Sequence, residues 1–415
     1  MSKIHIPQPE PDLTPRMAVE RARALVPLLR EQQDASDARG CYSDEVHESM
    51  KRAGLYRLMQ PRMFGGYEVD VPTYLRVIIE IGRGHPGAAW CFSLASAHAL
   101  IVGSHLGEEV QKEIFGPDGD FRCPHRAFLA GKLEKVEGGY IVDGRWAYAS
   151  GSPVATHFIG GATIEDPGKE SRNVNFIVPK EKFTVLPDWG GGVSLGMEAS
   201  GSNTVEIKEA FVPHRHIFRH DIVLTSKDFG PEDGQGARIH HNPIYLGVVG
   251  GYFPTLFGAI FVGAARAALE EFEETARRTR SSAMDTAGVA RVDDRDAQAP
   301  FGRASTLTDC AEALTLSVAA EFTEVCATAY RTGTPIEVEQ SVRLWNMARQ
   351  ATDMACDAVE LLFRSSLVRE ANRGKRMQRY LRDVQMWRIH PAAQPWMDEV
   401  YGRAKWGKTL ERFGR

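Results

Sequence analysis

The sequence predicts an α+β protein in three parts: a helical domain over residues 1–118, a small β domain over 119–235 and a helical bundle over 236–415. Three observations carry this. Apolar residues recur at i, i+3 and i+4 in the first and last parts, and they alternate with a period of two in the middle. Clusters of Gly and Pro bound the alternating runs.

In the first part, "MAVERARALVPLLREQQDASDARG" places Val19, Ala22, Leu25, Val26 and Leu29 on one helical face. Ser43 is positioned to cap "DEVHESMKRAG", with Gly54 beyond its end, since a serine hydroxyl can accept from a first-turn N–H and glycine tolerates the terminating left-handed turn. "VPTYLRVIIEIGRG" has Pro72 in its first turn and Gly82 near its end. "HPGAAWCFSLASAHALIVGSHLG" is apolar nearly all round, which predicts burial on most sides. In the middle, "GKLEKVEGGYIVDGRWAY" reads as a hairpin, and "THFIGGATI", "VNFIVPKEKFTVLPDW" and "SNTVEIKEAFVP" continue a series of short strands. Such a series implies a compact sandwich or barrel. The last part returns to helix in "AAEFTEVCATAYRTG" and "VEQSVRLWNMARQATDMACDAVELLFRSS", while the polar run over 285–300 reads as an exposed loop.

Composition excludes several classes. Lys and Arg number 50 against 54 Asp and Glu, for a net charge of −4 and no basic run, so nucleic acid is not an expected partner. No segment reads as a signal peptide or a membrane span, and the glycine-interrupted stretch "YLGVVGGYFPTLFGAIFVGAA" is expected to be a buried helix. The six cysteines show no CxxC spacing, which fits free thiols in a reducing cytoplasm. His85, His240 and His241 are expected in loops; the His pair lacks carboxylate companions, so no metal is expected. Gly190–Gly192 lacks the strand-then-helix setting of a nucleotide fingerprint. Ser200–Asn203 is expected to be a strand-turn feature.

Four local sequences, in order, resemble the acyl-CoA dehydrogenase superfamily: "PRMFGGYEVD" its P-x-x-x-G-G stretch, "VDGRWAYASGSPVATHFI" its W-x-x-S/T-G…A strand pair, "SLGMEASGSNTVEIKEAFVP" its G-M-R-x-T-G-S-x-x-V…F-V-P signature and "LRDVQMWRIHPAAQP" its late R-D segment. The resemblance implies that superfamily's fold: helical domain, central β-barrel or sandwich, and C-terminal bundle. The departure lies after R-D. Where common acyl-CoA dehydrogenases carry I-Y-E, this chain has Ile389, His390 and Pro391, and proline cannot take a proton. A histidine here is similar to the oxygenase components of two-component flavin-dependent monooxygenases.

That resemblance implies an enzyme using reduced FMN or FAD and O2, through a C4a-hydroperoxyflavin, to hydroxylate a small aromatic, phenolic substrate. A separate NAD(P)H:flavin reductase would supply the flavin, since no dinucleotide-binding βαβ unit is visible. A homotetramer with no membrane partner is implied as well. His390 is the expected base that deprotonates the phenol, His98 the expected contact to substrate or peroxide, and Ser150 the expected hydroxyl near flavin N5. Trp146 and Ser152 are expected beside the flavin, and Arg280, Ser365 and Ser366 at its phosphate. Rival readings are an acyl-CoA dehydrogenase or oxidase with a glutamate base elsewhere in the bundle, a monooxygenase acting on nitrogen or sulfur, and a non-catalytic flavin binder.

Overall fold

A computed structural model of the chain describes residues 8–165, 170–230, 233–281 and 287–408. The helical first part comprises α1 (Pro15–Ala24), α2 (Val26–Glu31), α3 (Gln33–Arg39), α4 (Asp44–Arg52), α5 (Val71–Gly84), α6 (Pro86–Ser96), α7 (Ala99–His105) and α8 (Glu108–Phe115). The long amphipathic stretch after Pro15 is thus three short helices. Leu25 ends the first, with Pro27 in the opening turn of the second. Ser43 caps α4 by accepting from the Val46 N–H, and Gly54 follows with φ of +74°. His85, expected in a loop, is instead the buried residue that opens α6.

The strands β1 (His125–Val136), β2 (Gly139–Trp146), β3 (His157–Ile164), β4 (Arg172–Pro179), β5 (Thr184–Val185), β6 (Val205–Pro213) and β7 (Ile217–Arg219) form one mixed sheet in the order β5-β6-β2-β1-β3-β4-β7. β1 and β2 are the hairpin expected from "EGG"; β1 and β3 pair in parallel, with register shifts between Arg126 and Gly131. The sheet curls around its own core of Leu133, Val142, Phe158, Phe176, Phe183 and Val205.

The last part comprises α9 (Gly236–His240), α10 (Phe253–Arg278), α11 (Arg295–Thr332), α12 (Val338–Arg364), α13 (Arg376–Arg388) and α14 (Trp396–Lys405). The polar run over 285–300 is helical from Arg295 because Asp294 caps it, accepting from the Asp296 N–H at 3.0 Å. Residues 285 and 286 of that run lie outside the described residues. His240 is in the last turn of α9, not a loop, with Nε2 2.9 Å from Gln111 Oε1.

Two stretches, Pro86–His105 and Phe253–Arg278, reach the length and mean hydropathy of a membrane span, contrary to the sequence expectation; 94% and 78% of their apolar windows are buried inside the protein. Their glycines explain the composition. A Cβ on Gly263 would lie 2.5 Å from the Ile79 carbonyl oxygen and 2.8 Å from the Arg83 nitrogen, so α10 and α5 cross backbone to backbone. Gly263→Ala is therefore expected to cost roughly 1–3 kcal/mol by overpacking, measurable by urea unfolding; a cost near zero would show that the helices can move apart freely. This crossing fixes the first turns of α10, which carry Phe253 and Phe257 to the site described next.

Candidate active site

His390 stands at a designed break. The residue before a proline is pushed from helical to extended geometry, and His390 has φ −68° and ψ 139°, two residues after α13 ends. Arg388 anchors that end of α13 to Asp353, Asp357 and Glu360 of α12. The imidazole is stacked on Trp387 (centroids 5.8 Å apart) and meets Trp90 of α6 and Phe257 of α10, each at 5.3 Å. Its Nδ1 accepts the Ala392 N–H at 3.2 Å. Burial, and secondarily the Arg126 guanidinium, pushes its pKa down to about 4. A neutral ring that accepts at Nδ1 carries its proton on Nε2. His390 is therefore a hydrogen-bond donor, and the base role expected from sequence does not suit it.

His98 lies at the joint between α6 and α7. Its Nδ1 is 2.7 Å from both the Leu94 and Cys123 carbonyl oxygens, so Nδ1 holds the proton and Nε2 the lone pair. Burial lowers this imidazole to about 4 as well. Its ring packs on Phe253 at 5.0 Å and meets His125 edge-on at 5.4 Å. Phe253 and Phe257 are one turn apart on the same face of α10, about 6 Å along its axis. Trp90 and His98 are separated by about 12 Å along α6. His98 and His390 thus lie at the two ends of one aromatic row formed by Phe253, Phe257 and Trp90.

His125, the first residue of β1, is an imidazole beside His98 that sequence reasoning did not single out. Asn175 donates through Nδ2 to the Arg219 carbonyl at 3.0 Å, which turns its Oδ1 toward His125 Nε2 at 3.2 Å. Nε2 therefore donates, and Nδ1 is left as an acceptor. Burial first, then neighbouring His98, holds this imidazole well below its usual range. The arrangement presents two lone pairs at fixed atoms, His98 Nε2 and His125 Nδ1, and one N–H at His390 Nε2.

Ser150 follows Tyr148, whose φ of +60° breaks the alternation of β2. Gly151 has φ of +87°, and a Cβ there would lie 2.9 Å from the Cys91 carbonyl oxygen, so this loop rests on α6 between Trp90 and His98. The Ser150 hydroxyl is 2.7 Å from Ser202, which is 2.7 Å from Ser200. Tyr148 on this loop, Phe128 linked to it through Arg126, and Ile389 next to His390 are exposed, an apolar rim.

Other expected residues lie elsewhere. Trp146 is 1% exposed inside the β-domain core, with its indole N–H donated to the Gly161 carbonyl. Ser152 is fully buried and donates to the Gly201 carbonyl. Both are structural, since neither presents a surface to a ligand. Arg280, Ser365 and Ser366 come together at one end of the bundle: Arg280 pairs with Ala290, and Arg291 donates to the Ser365 carbonyl. That end lies beyond Arg278, about 30 Å along α10 from Phe257. They do not share a site with His390 within one chain. Two open hollows, of about 570 and 500 Å³, lie among Arg23, Arg30, Arg83 and Glu270; they hold paired ions and no imidazole.

The buried histidines have a consequence for stability. His98, His105, His157, His240 and His390 are each pushed down to about 4, chiefly by burial. Between that value and their unfolded value of about 6.5, the unfolded chain binds more protons, so stability is lost as pH falls through this window. Asp383, pushed up to about 6 by burial, works in the opposite direction, as do Glu68 and Glu271, which burial also raises, but these carboxyls are fewer than the histidines. Urea unfolding at pH 5 is expected to give a free energy lower by roughly 3 kcal/mol or more than at pH 7; equal values would contradict burial of these rings.

A helical domain, a curled mixed sheet and a helical bundle, in that order, define the acyl-CoA dehydrogenase class of fold. Residues 16–118 match the acyl-CoA dehydrogenase N-terminal domain and residues 255–395 the C-terminal domain, and the chain belongs to that family. It is 29% identical over 397 residues to the flavin-dependent monooxygenase oxygenase subunit HsaA of Rhodococcus jostii, covering 94% of this chain and 99% of that one. It is 25% identical to the p-hydroxyphenylacetate 3-hydroxylase oxygenase component of Acinetobacter baumannii, over 68% of this chain and 64% of that one. The crystal structure of 3-HSA hydroxylase from Rhodococcus sp. RHA1 superimposes with a TM-score of 0.82 at 25% identity, covering 95% of this chain and 98% of that one.

Proposed function

We propose that this protein is the oxygenase component of a two-component flavin-dependent monooxygenase that hydroxylates a phenolic aromatic substrate. Reduced FMN or FAD, delivered by a separate NAD(P)H:flavin reductase, supplies the electrons that let O2 give one oxygen atom to the ring. The observation that carries this reading is the set of three neutral imidazoles with fixed tautomers along one row of aromatic rings. Among the described residues, no carboxylate bonds to any of them or perturbs His390, the only nearby charge there being Arg126. Common acyl-CoA dehydrogenases carry a carboxylate base where His390 and Pro391 stand, and among the described residues none takes its place against these rings.

The fit of a flavin is tested by the loop at Ser150. It offers a hydroxyl backed by two further hydroxyls, beside an apolar rim and against α6. Ser150 would meet the flavin ring edge. The His390 Nε2–H would donate into the same space and help retain activated oxygen, while Trp90, Phe253 and Phe257 exclude water. His125 Nδ1 would accept the phenol O–H. A weak base suffices, because that proton becomes far more acidic as the ring is attacked, and Asn175 Oδ1 holds the opposite N–H as charge develops. The distant cluster of Arg280, Ser365 and Ser366 fits a phosphate site only if it serves the flavin of another copy, which supports a homotetramer. Cytoplasmic catabolism of aromatic compounds is the setting this chemistry suits.

The test is to mix the protein and photoreduced flavin with oxygen and a panel of phenols, measuring hydroxylated product and H2O2. Product formation that requires this protein is the expected result. H2O2 alone from every phenol, together with flavin reduction on adding an acyl-CoA thioester, would overturn the reading. In the same assay His390→Ala is expected to shift the oxygen balance from product toward H2O2. An unchanged ratio would remove His390 from the oxygen side of the site.

A further inference from the structure

Arg126 is a cation without an anion. Its Nε donates to the Ala147 carbonyl at 2.8 Å, and its guanidinium carbon lies 3.9 Å above the Phe128 ring. Among the described residues, the remaining guanidinium nitrogens make no hydrogen bond and no carboxylate pairs with them. Other arginines in similar surroundings are answered. Burial also lowers Arg57 and Arg291, but Asp120 and Asp118 face the first and Asp294 the second. For Arg126 the sole compensating group is the Tyr148 phenol.

Its place in the fold is specific. Adjacent strand residues point to opposite faces. His125 turns inward to Asn175, and Arg126 turns with Phe128 toward the apolar rim. It stands near enough to His390 to depress that imidazole and is tied by Ala147 to the loop that carries Ser150. The space behind it is lined by neutral rings, so its charge is not offset from within. A planar guanidinium with free nitrogens favours bidentate capture of a carboxylate, and a partly buried cation left unpaired is costly until such a partner arrives.

We propose that Arg126 recognises an oxyanion at the mouth of the active site, and that the aromatic substrate carries a carboxylate remote from the phenol held by His125. This rests on the oxygenase reading above. A second source of the same chemistry is the anionic ring of reduced flavin, and the experiment separates the two.

Anaerobic equilibrium dialysis of the protein loaded with reduced flavin would compare 4-hydroxybenzoate, 4-hydroxyphenylacetate and 3-(4-hydroxyphenyl)propionate with their primary amides. For at least one chain length, the acid is expected to bind about 10-fold or more tightly than its amide. Arg126→Gln is expected to bring that ratio near one, and Arg126→Lys to restore part of it. Equal binding of acid and amide by the unaltered protein at all three lengths would overturn the proposal. So would an Arg126→Gln variant that keeps the acid preference, or one that loses reduced-flavin affinity with the ratio unchanged, which would assign the anion to the flavin. Failure of the oxygenase reading shows differently: the acid preference would depend on Arg126 while no phenol yields hydroxylated product.

Discussion

His125→Ala is expected to lower the turnover for hydroxylation about 10²–10⁴-fold, the range set by loss of a positioned general base. Oxygen consumption by reduced flavin should continue, with the oxygen recovered as H2O2. The size of the effect follows from the tautomer. Asn175 is oriented by the Arg219 carbonyl, so its Oδ1 accepts from His125 Nε2 and leaves Nδ1 as the acceptor. Removing the ring takes away the acceptor but not the aromatic walls formed by Trp90, Phe253 and Phe257, so substrate affinity should fall much less than turnover. Asn175→Ala should lower turnover in the same direction but less, because the imidazole remains and only its tautomer is released. Product formation by His125→Ala within ~3-fold of the unaltered protein would move the base elsewhere, with His98 Nε2 the remaining lone pair.

Arg379→Ala is expected to destabilise the protein by about 3–5 kcal/mol, the cost of breaking a buried ion cluster from one side. Arg379 is 5% exposed and donates to Asp37 Oδ2 at 2.9 Å, to Gln33 Oε1 at 2.9 Å and to Asp34. Asp383, on the next turn of α13, is buried; its Oδ1 accepts the Met197 N–H at 2.6 Å, and its Oδ2 has no partner. His85 Nε2 lies 3.2 Å from Asp37 Oδ1. The cluster therefore ties α3, the α5–α6 joint and the loop before β6 to α13. Without the guanidinium, the buried Asp383 and the partly buried Asp37 lose a permanent positive charge that both feel. Because His390 stands two residues beyond the end of α13, the same change should also raise H2O2 at the expense of product. A loss under ~1 kcal/mol by urea unfolding would show that the carboxylates are neutral or hydrated.

The break at His390 was legible in the sequence because Pro391 pushes the residue before it out of helical geometry. The histidine's chemical role was not legible, since only the Ala392 N–H on Nδ1 decides that the ring donates. Trp146 and Ser152 illustrate a different limit. Nearness to Ser150 in the chain suggested a shared site, but strand alternation turns Trp146 inward. The positive φ of Tyr148 and Gly151 then gives Ser150 and Ser152 different surroundings. His125 carried no distinguishing pattern: its importance comes from Asn175 and His98, 50 and 27 residues away in sequence. The R-D segment was recognised as a motif, but its physical task emerges only in three dimensions. Arg382 bonds Glu198 and the Leu195 carbonyl, and Asp383 bonds the Met197 N–H, holding the bundle to the β domain.

The most direct measurement of the central claim is isotopic. Turnover with chemically or photochemically reduced flavin under ¹⁸O2, with a phenol that this protein hydroxylates, should place one ¹⁸O atom in the new hydroxyl group and leave the other in water. Label found in the product from H2¹⁸O instead, or no incorporation while an acyl-CoA thioester is dehydrogenated, would contradict the account.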